Sequence, residues 1–344
     1  MFHVKTTLVL GAGASFDFGF PLGKDLVDKV ISFCAEVTNG RVPYITDDDG
    51  AFVRLRKALT FYDPMSIDAF LYHYRADKKL IVAAKKSIMS VILTDSKEHK
   101  FYRGSGNENW MRLLWSGLLS DRSAEELAND DFDLNFNVIT FNYDASLEHF
   151  LYSRITSELS HFSESEQSKI LDKLRGRIQH VYGCVMDYEW TGGEDDNSLF
   201  EFTDKHDLMQ HAHLNYNRIH LINEREEIDN SNIVGALSGS QQVIFLGFGF
   251  DDTNIGNRVL NLVHSVPAIL QETSKGASYS PKIKYTNWSN SLVIDKKIET
   301  AIARNRDFSN LVAKYVGDER DTGILKSTKS VVESLESDFN LTNF

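Results

Sequence analysis

A glycine-rich turn near the start of the chain has the composition of a binding site for a dinucleotide's diphosphate. The turn, Gly11-Ala12-Gly13-Ala14-Ser15, follows the short apolar run Leu8-Val9-Leu10. Glycine permits positive φ and lets the backbone approach a ligand closely. Backbone N–H groups and the N-terminus of a following helix then face the anion. We therefore predict that an NAD-type dinucleotide binds here, at Gly11, Ala12, Gly13 and Ser15.

The two most common glycine-loop motifs do not fit this turn. The dehydrogenase fingerprint G-x-G-x-x-G requires a third glycine where this chain has Phe16, and the next glycine is Gly19. The acidic residue expected about 20 residues further on is also missing, because that region has a helical pattern. A P-loop would need Ser or Thr after Lys24, and Asp25 stands there. A tight strand-to-helix turn without a ligand is the alternative interpretation.

Two polar residues with suitable chemistry follow a second apolar run. The segment Thr140-Phe141-Asn142-Tyr143-Asp144 comes directly after the run from Asn137 to Thr140. Asn142 is neutral and offers both a donor and an acceptor. Asp144 can bind a hydroxyl or offset developing positive charge. The alternative is ordinary turn chemistry, with Asp144 as the N-cap of a helix beginning near Ala145, and both roles are compatible.

A histidine lies at a third strand-like run, in the segment His180-Val181-Tyr182-Gly183. Histidine suits acid–base catalysis because its ordinary pKa lies near working pH. Positions 180 and 182 of a strand point to the same face, so we expect His180 to act with Tyr182 beside it. A structural histidine is the alternative.

A fourth glycine loop follows the apolar run from Val243 to Gly247, and its candidate ligand contacts are Gly247, Gly249 and Asp252. Phe248 and Phe250 fit the core as well as they fit contacts with adenine. A capped strand-to-helix turn is the alternative for this loop. His206, His211 and His213 give a weak metal signal and are expected to be solvated surface residues, so no metal is predicted.

The elements that must position these residues indicate an α/β fold, with a Rossmann-like parallel sheet, a helical insertion and a helical C-terminal appendage. Nearly continuous apolar runs predict buried parallel strands. They are Thr7 to Leu10, Asn137 to Thr140, Ile178 to Tyr182, Ile219 to Ile222, Val243 to Gly247 and, more weakly, Lys282 to Tyr285. Helical patterns at Gly23 to Glu36 and Ala145 to Leu159 alternate with them.

The predicted core comprises residues 1–38 and 131–288, with a polar insertion at about 187–217. Residues 39–130 form a helical insertion, with helices at Ser66 to Leu71, Lys78 to Leu93 and Trp110 to Leu119. Residues 289–344 form a C-terminal helical segment.

Composition excludes several classes of protein. The 344 residues are 42% hydrophobic and 25% charged, which is typical of a folded enzyme with about two domains. A net charge of -12 argues against non-specific binding to nucleic acid or to an anionic membrane. Two cysteines build neither a disulfide framework nor a four-cysteine zinc site. No signal peptide and no apolar stretch of roughly 20 residues is present, so a cytoplasmic location is expected.

Taken together, the motifs resemble those of the sirtuin superfamily. They are G-A-G-A-S-x-x-x-G-x-P from Gly11 to Pro21, T-x-N-x-D from Thr140 to Asp144, the histidine strand and the fourth glycine loop. Leu22-Gly23-Lys24 replaces the usual acidic-Phe-Arg sequence, Tyr182 separates the histidine from its glycine, and the zinc ribbon is absent. The chain therefore looks like the sirtuin-like NADases of bacterial antiphage defence.

The resemblance implies that NAD⁺ is a substrate, cleaved to nicotinamide and ADP-ribose. It implies that Asn142 and Asp144 surround the nicotinamide ribose and that His180 acts as a base. NAD contacts are implied for Gly19, Pro21, Thr140, Tyr182, Gly183, Gly247, Gly249 and Asp252. Activation is expected through a homo-oligomer or a HerA-like ATPase. The alternatives are an NAD-dependent protein deacylase and a non-catalytic sensor of NAD or ADP-ribose.

Overall fold

The structure is a computed structural model that describes residues 5–95, 109–119, 124–129, 134–186, 205–221, 224, 231–249, 282–287, 291–303 and 324–335. Within these residues six parallel strands form one sheet in the order β3-β2-β1-β4-β5-β6. The strands are β1 (Thr6–Leu10), β2 (Phe136–Thr140), β3 (Ile178–His180), β4 (Gln242–Leu246), β5 (Lys282–Thr286) and β6 (Ile324–Ser327). This is the strand order of a doubly wound, Rossmann-like sheet, so the predicted α/β class is confirmed.

The helices of the described residues surround this sheet. They are α1 (Gly23–Thr38), α2 (Ala51–Tyr62), α3 (Ile67–Tyr72), α4 (Lys78–Asp95), α5 (Trp110–Leu119), α6 (Ala124–Ala128), α7 (Ser146–Glu158), α8 (Glu164–Arg175), α9 (Lys205–Asn215), α10 (Ser231–Ser238), α11 (Leu292–Ala303) and the single turn α12 (Val331–Glu333). None of these helices combines the length and the apolar character needed to span a bilayer.

The two central strands form because most of their side chains are apolar, and the polar side chains of Thr6, Thr7 and Gln242 are buried with them. All five residues of β1 and all five of β4 are buried, as expected for a parallel sheet covered by helices on both sides. The register places Leu10 beside Thr140 and Leu246, and Thr140 beside His180. The first four strands therefore end at one level, and the segments that follow them lie along one edge of the sheet.

The helical insertion packs onto the first helix of the core. Helix α4 contacts α1, α2 and α9, and it is buried almost all round, including Lys85, whose Nζ lies 3.0 Å from Glu224 Oε2. A helix that is apolar on all sides belongs in an interior. Helix α2, which the sequence interpretation did not identify, packs against both α1 and α4.

Two sequence expectations about strands need correction. Ile219 makes only a single antiparallel bridge with Gly183, and no strand forms at Ile219–Leu221; Ile222 lies outside the described residues. This apolar run is buried as an irregular segment over the turn after β3, because burial alone does not require strand pairing. Strand β6 was missed within the expected C-terminal helical segment, since four residues at a sheet edge are too short to show a period.

Helix α5 is attached directly to the glycine-rich turn. The indole N–H of Trp110 donates to the backbone oxygen of Ala14 at 2.8 Å, and both residues are buried. Trp115, one and a half turns later, donates instead to the partly exposed carboxylate of Glu158.

These two tryptophans provide a matched test of that attachment. We expect Trp110→Phe to destabilise the fold by about 1–2 kcal/mol more than Trp115→Phe, because only the first leaves a buried carbonyl without a donor. Urea denaturation of both variants measures the difference. Equal losses for the two variants would contradict this account.

Candidate functional site

The candidate site lies where the direction of strand order reverses. Strand β1 lies between β2 and β4, so the connection after β1 runs to one side of the sheet and that after β4 to the other. In open parallel sheets the crevice at the carboxyl ends of such strands is the usual ligand position. Here that crevice is bordered by the turn after β1 and by the loop that begins at Gly247.

The backbones of these two loops touch. The Gly11 amide donates to Leu246 O at 3.0 Å, and the Gly13 amide donates to Gly247 O at 3.0 Å. A Cβ atom on Gly11 would lie 2.5 Å from Gly247 O, and one on Gly247 would lie 2.2 Å from Ala14 N. Gly247 also has a φ of +58°. Glycine is therefore required on both sides of the contact for packing, in addition to any role in binding a diphosphate.

The packing also uses most of the amides of the turn. Among Gly11–Ser15, the amides of Ala14 and Ser15 donate to Gly11 O and Ala12 O, and those of Gly11 and Gly13 donate to the β4 loop. Within the part of the chain that the structure describes, the amides of Ala12 and Phe16 have no acceptor. They begin the two 3₁₀ turns, Ala12–Ala14 and Phe16–Phe18, where N–H groups lack an intrahelical partner. These two amides are the ones open to an anion.

Asn142 fixes the glycine-rich turn from the side of β2. Its Nδ2 donates to Gly11 O at 3.0 Å and to Ser15 Oγ at 2.9 Å, and its own amide donates to Thr140 Oγ1 at 3.1 Å. Both amide hydrogens of the side chain are thus used inside the protein. The Oδ1 atom is the part of this buried side chain that remains for a ligand.

Asp144 is a buried carboxylate that lies two residues before α7. Its Oδ1 accepts the Ser146 amide at 3.1 Å, but the N-cap of the helix is Ala145, so the expectation that Asp144 is the N-cap is wrong. Burial raises its pKa, although hydrogen bonds with Ser146 and Ser15 act in the opposite direction. Ser15 therefore links Asn142 and Asp144, and the structure brings these three predicted residues together.

His180 ends β3 and lies between two acceptors. Its Nδ1 is 3.2 Å from Asn142 O, and its Nε2 is 2.5 Å from Glu148 Oε1. Burial by itself lowers the pKa of His180, but charges and hydrogen bonds from Cys184 and Glu148 outweigh it and raise this pKa well above the ordinary value. The protonated form of His180 is therefore favoured relative to an ordinary histidine.

Sequence interpretation missed Glu148, which lies in the first turn of α7. Asp144 precedes this helix and its N-cap, Ala145, so the four-residue spacing of the two carboxylates does not place them on one helix face. A search limited to known motifs therefore had no signal for Glu148.

The expectation that Tyr182 shares a face with His180 is wrong. Strand β3 ends at His180, so the two-residue period does not reach Tyr182. The Tyr182 ring is buried against Phe141 and Tyr143. Gly183 has a φ of +74°, and a Cβ atom there would lie 2.0 Å from Arg218 O. The bridge to residue 219 thus explains this glycine.

Gly19 and Pro21 border an open cleft of about 430 Å³ whose lining begins at Phe16, directly after the glycine-rich turn. Gly19 has a φ of +96° and ends the second 3₁₀ turn. The cleft is lined by Phe16, Asp17, Gly19, Phe20, Pro21, Asp25, Asp28 and Lys29. Three carboxylates and one ammonium group disfavour a diphosphate in this cleft.

The remaining predicted residues fall into two groups. Phe248 is buried against Phe141 and Phe245, so it belongs to the core, whereas Gly249 is exposed. Phe250 and Asp252 lie outside the described residues, and so does the side chain of His206. His211 and His213 lie on α9 and are half-buried rather than solvated. Among the described residues no group of three potential ligands is arranged to hold a metal.

No protein-family model matches the chain, and no curated protein matches it in sequence. The fold and the crevice define it as a Rossmann-like α/β protein. A Ser–Asn–Asp cluster and a His–Glu pair lie at the carboxyl edge of its sheet.

The contact between the two loops can be tested with a pair of glycines. Gly247→Ala places a side chain against Ala14 at positive φ, and we expect a loss of about 2–4 kcal/mol in the free energy of unfolding. Gly249→Ala is the matched control, since its Cβ meets nothing within 4 Å. Urea denaturation measures both, and a loss for Gly247→Ala as small as that for the control would contradict the packing described.

The charge state of His180 predicts a pH-dependent stability. Its folded-state pKa lies above the ordinary 6.5, so its contribution is full below that pH and is lost as pH rises through the folded-state pKa. The free energy of unfolding of the unaltered chain minus that of His180→Gln should be largest near about pH 6 and shrink toward about pH 9. Urea denaturation over this range measures the difference.

His149 acts in the opposite direction and must be separated from this effect. Burial lowers the pKa of His149 to about 3, so its contribution is lost as pH falls below 6.5. Both proteins retain His149, and its effect cancels in the difference. A difference that stays constant or grows with pH would contradict a raised pKa for His180.

Proposed function

We propose that the chain hydrolyses the nicotinamide–ribose bond of NAD⁺ to nicotinamide and ADP-ribose. One observation carries the proposal: Ser15 of the glycine-rich turn links Asn142 and Asp144 at the crevice where the direction of strand order reverses. The His180–Glu148 pair ends the next strand along the sheet. Dinucleotides bind at this edge in sheets of this order.

The charges of the site suit cleavage of this particular bond. Nicotinamide leaves as a neutral molecule, so positive charge develops on the sugar in an oxocarbenium-like transition state. Fixed negative charge in a water-poor site stabilises such a state. Asp144 is buried and Glu148 is largely buried, with 12% of its side chain exposed. In this mechanism Asp144 and the Oδ1 atom of Asn142 hold ribose hydroxyls.

Addition of water to the sugar releases one proton, and His180 is the group proposed to accept it. Only the neutral imidazole accepts a proton, and its population grows as pH rises, because the pKa of His180 is raised. Glu148 then stabilises the imidazolium that forms. Turnover should therefore increase with pH above neutrality.

Incubation with NAD⁺ alone tests the proposal. We expect nicotinamide and ADP-ribose in equal amounts by chromatography, without any acylated peptide. His180→Gln should lower turnover by about 10²–10⁴-fold, and Glu148→Gln should lower it less. His161→Gln changes an exposed histidine outside the cluster and should leave turnover unchanged.

Other outcomes identify the alternative functions. Nicotinamide release that requires an acyl-lysine peptide would replace hydrolysis with protein deacylation. Saturable binding of NAD⁺ or ADP-ribose without product would indicate a sensor. Full turnover in His180→Gln would overturn the assignment of the catalytic base.

The resemblance implies a role in antiphage defence, in which depletion of NAD⁺ would have to wait for infection. We therefore propose that assembly controls the activity. Light scattering and turnover should be measured on the same samples over a range of concentrations. Activity per chain that rises with oligomer mass supports self-assembly, and activity that appears only with a HerA-like ATPase supports a mixed complex. Full activity of a monomer would contradict control by assembly.

A further inference from the structure

The loop after β2 is attached to the helical insertion by one side chain. Tyr143 stands between Asn142 and Asp144, and its hydroxyl donates to Asp68 Oδ1 at 2.9 Å. Asp68 lies in the first turn of α3, within the insertion. A hydrogen bond to a carboxylate is stronger than one between neutral groups. The two partners are 75 positions apart in sequence, so this bond ties a distant segment to the loop that carries two of the candidate site residues.

Both polar groups of Tyr143 are bonded to segments outside this loop. The side chain is buried, and its hydroxyl also lies 3.3 Å from His220 O. The backbone oxygen of Tyr143 accepts the Val185 amide at 2.8 Å. Burial and the Asp68 carboxylate raise the pKa of the Tyr143 hydroxyl, so the hydroxyl keeps its hydrogen and remains a donor. The loop is therefore held at its middle residue from two directions.

The insertion also contacts the other side of the site. Trp110 of α5 donates to Ala14 O in the glycine-rich turn at 2.8 Å. Asn142 joins the two sides, because its Nδ2 donates into the same turn. The insertion thus holds the turn through Trp110 and the loop through Asp68. The separation of turn and loop depends on both attachments, and this separation sets the position of Asn142.

We propose that Asp68 and Tyr143 are positioning residues for NAD⁺ cleavage. Their hydrogen bond holds the loop after β2 where Asn142 and Asp144 can reach the ribose hydroxyls. The Tyr143 hydroxyl is directed to the insertion, so it acts through its neighbours and not on the substrate. This role rests on the proposed function, because it serves the residues that hold the ribose in that mechanism.

The chain offers matched variants for this bond. Tyr143→Phe removes the hydroxyl and keeps the ring. Tyr285→Phe is the control, because the hydroxyl of the buried Tyr285 donates to Asp295 Oδ1 at the same distance of 2.9 Å, between β5 and α11. Asp68→Ala removes the acceptor of the first bond, whereas Asp68→Asn retains an acceptor oxygen.

Kinetics with NAD⁺ measure the effect on the site. We expect Tyr143→Phe to lower kcat/KM by about 10- to 100-fold, since a displacement of about 1 Å can cost this much. Part of the loss should be a raised KM, because a smaller folded fraction would lower kcat alone. Asp68→Ala should act in the same direction, and Asp68→Asn and Tyr285→Phe should match the unaltered chain. Equal kcat/KM in Tyr143→Phe and Tyr285→Phe would overturn the proposal.

A double variant tests whether the two residues act through one bond. Tyr143→Phe combined with Asp68→Ala should lose no more activity than Tyr143→Phe alone, because the second substitution removes a partner that is already unused. Additive losses would show two independent effects and would contradict positioning by this hydrogen bond.

Amide hydrogen exchange separates this proposal from the proposed function, because it needs no substrate. The Asn142 and Val185 amides, bonded to Thr140 Oγ1 and Tyr143 O, should exchange faster in Tyr143→Phe than in Tyr285→Phe. Amides of β4 should exchange equally in both variants, which excludes a general loss of stability.

The two measurements can fail separately. If the unaltered chain does not cleave NAD⁺, the proposed function fails and hydrogen exchange alone decides whether the pair positions the loop. Equal exchange of the loop amides in Tyr143→Phe and Tyr285→Phe would overturn that role. If Tyr143→Phe does not fold, the comparison of Asp68→Ala with Asp68→Asn decides in the same way.

Discussion

The close contact between two backbones at the centre of the sheet constrains everything around it. Strands β1 and β4 are hydrogen-bonded neighbours, and the segments that leave them meet without side chains, at Gly11, Gly13 and Gly247. Any Cβ atom there would overlap main-chain atoms that cannot move independently of the sheet. The position of the turn after β1 is therefore set by the strands. The polar side chains that hydrogen-bond to this turn are held in place by the same contact.

Two polar clusters follow from this geometry, and they differ in charge. Ser15, Asn142 and Asp144 form a chain of hydrogen bonds inside the protein. His180 and Glu148 form a pair in which a cation is enclosed by acceptors. The first cluster holds the loops together, and the second concentrates an ionisable group at the end of β3. Loss of one partner in either group would destabilise the fold, since a partly satisfied buried network is costly.

The sequence predicted those features that depend on local pattern. Continuous apolar runs identified β1 and β4, and the glycine-rich turn, Asn142 and His180 were placed at the same edge. Features set by tertiary contact were not predictable in this way. The apolar residues near Ile219 correctly predicted a buried segment, but they also predicted a strand, which does not form there. The extent of β3 decided where Tyr182 lies, and no motif indicated that a carboxylate on α7 would meet His180.

The hydrogen bond from Trp110 to Ala14 joins residues that are 96 positions apart in sequence. It makes the helical insertion part of the wall of the site, although none of its residues belongs to a glycine or polar motif. The insertion is consequently not a detachable module. A shortened protein that omits the insertion would leave the Ala14 carbonyl, in the turn that borders the crevice, without its donor. Protein engineering of this fold must therefore retain α5 as part of the core.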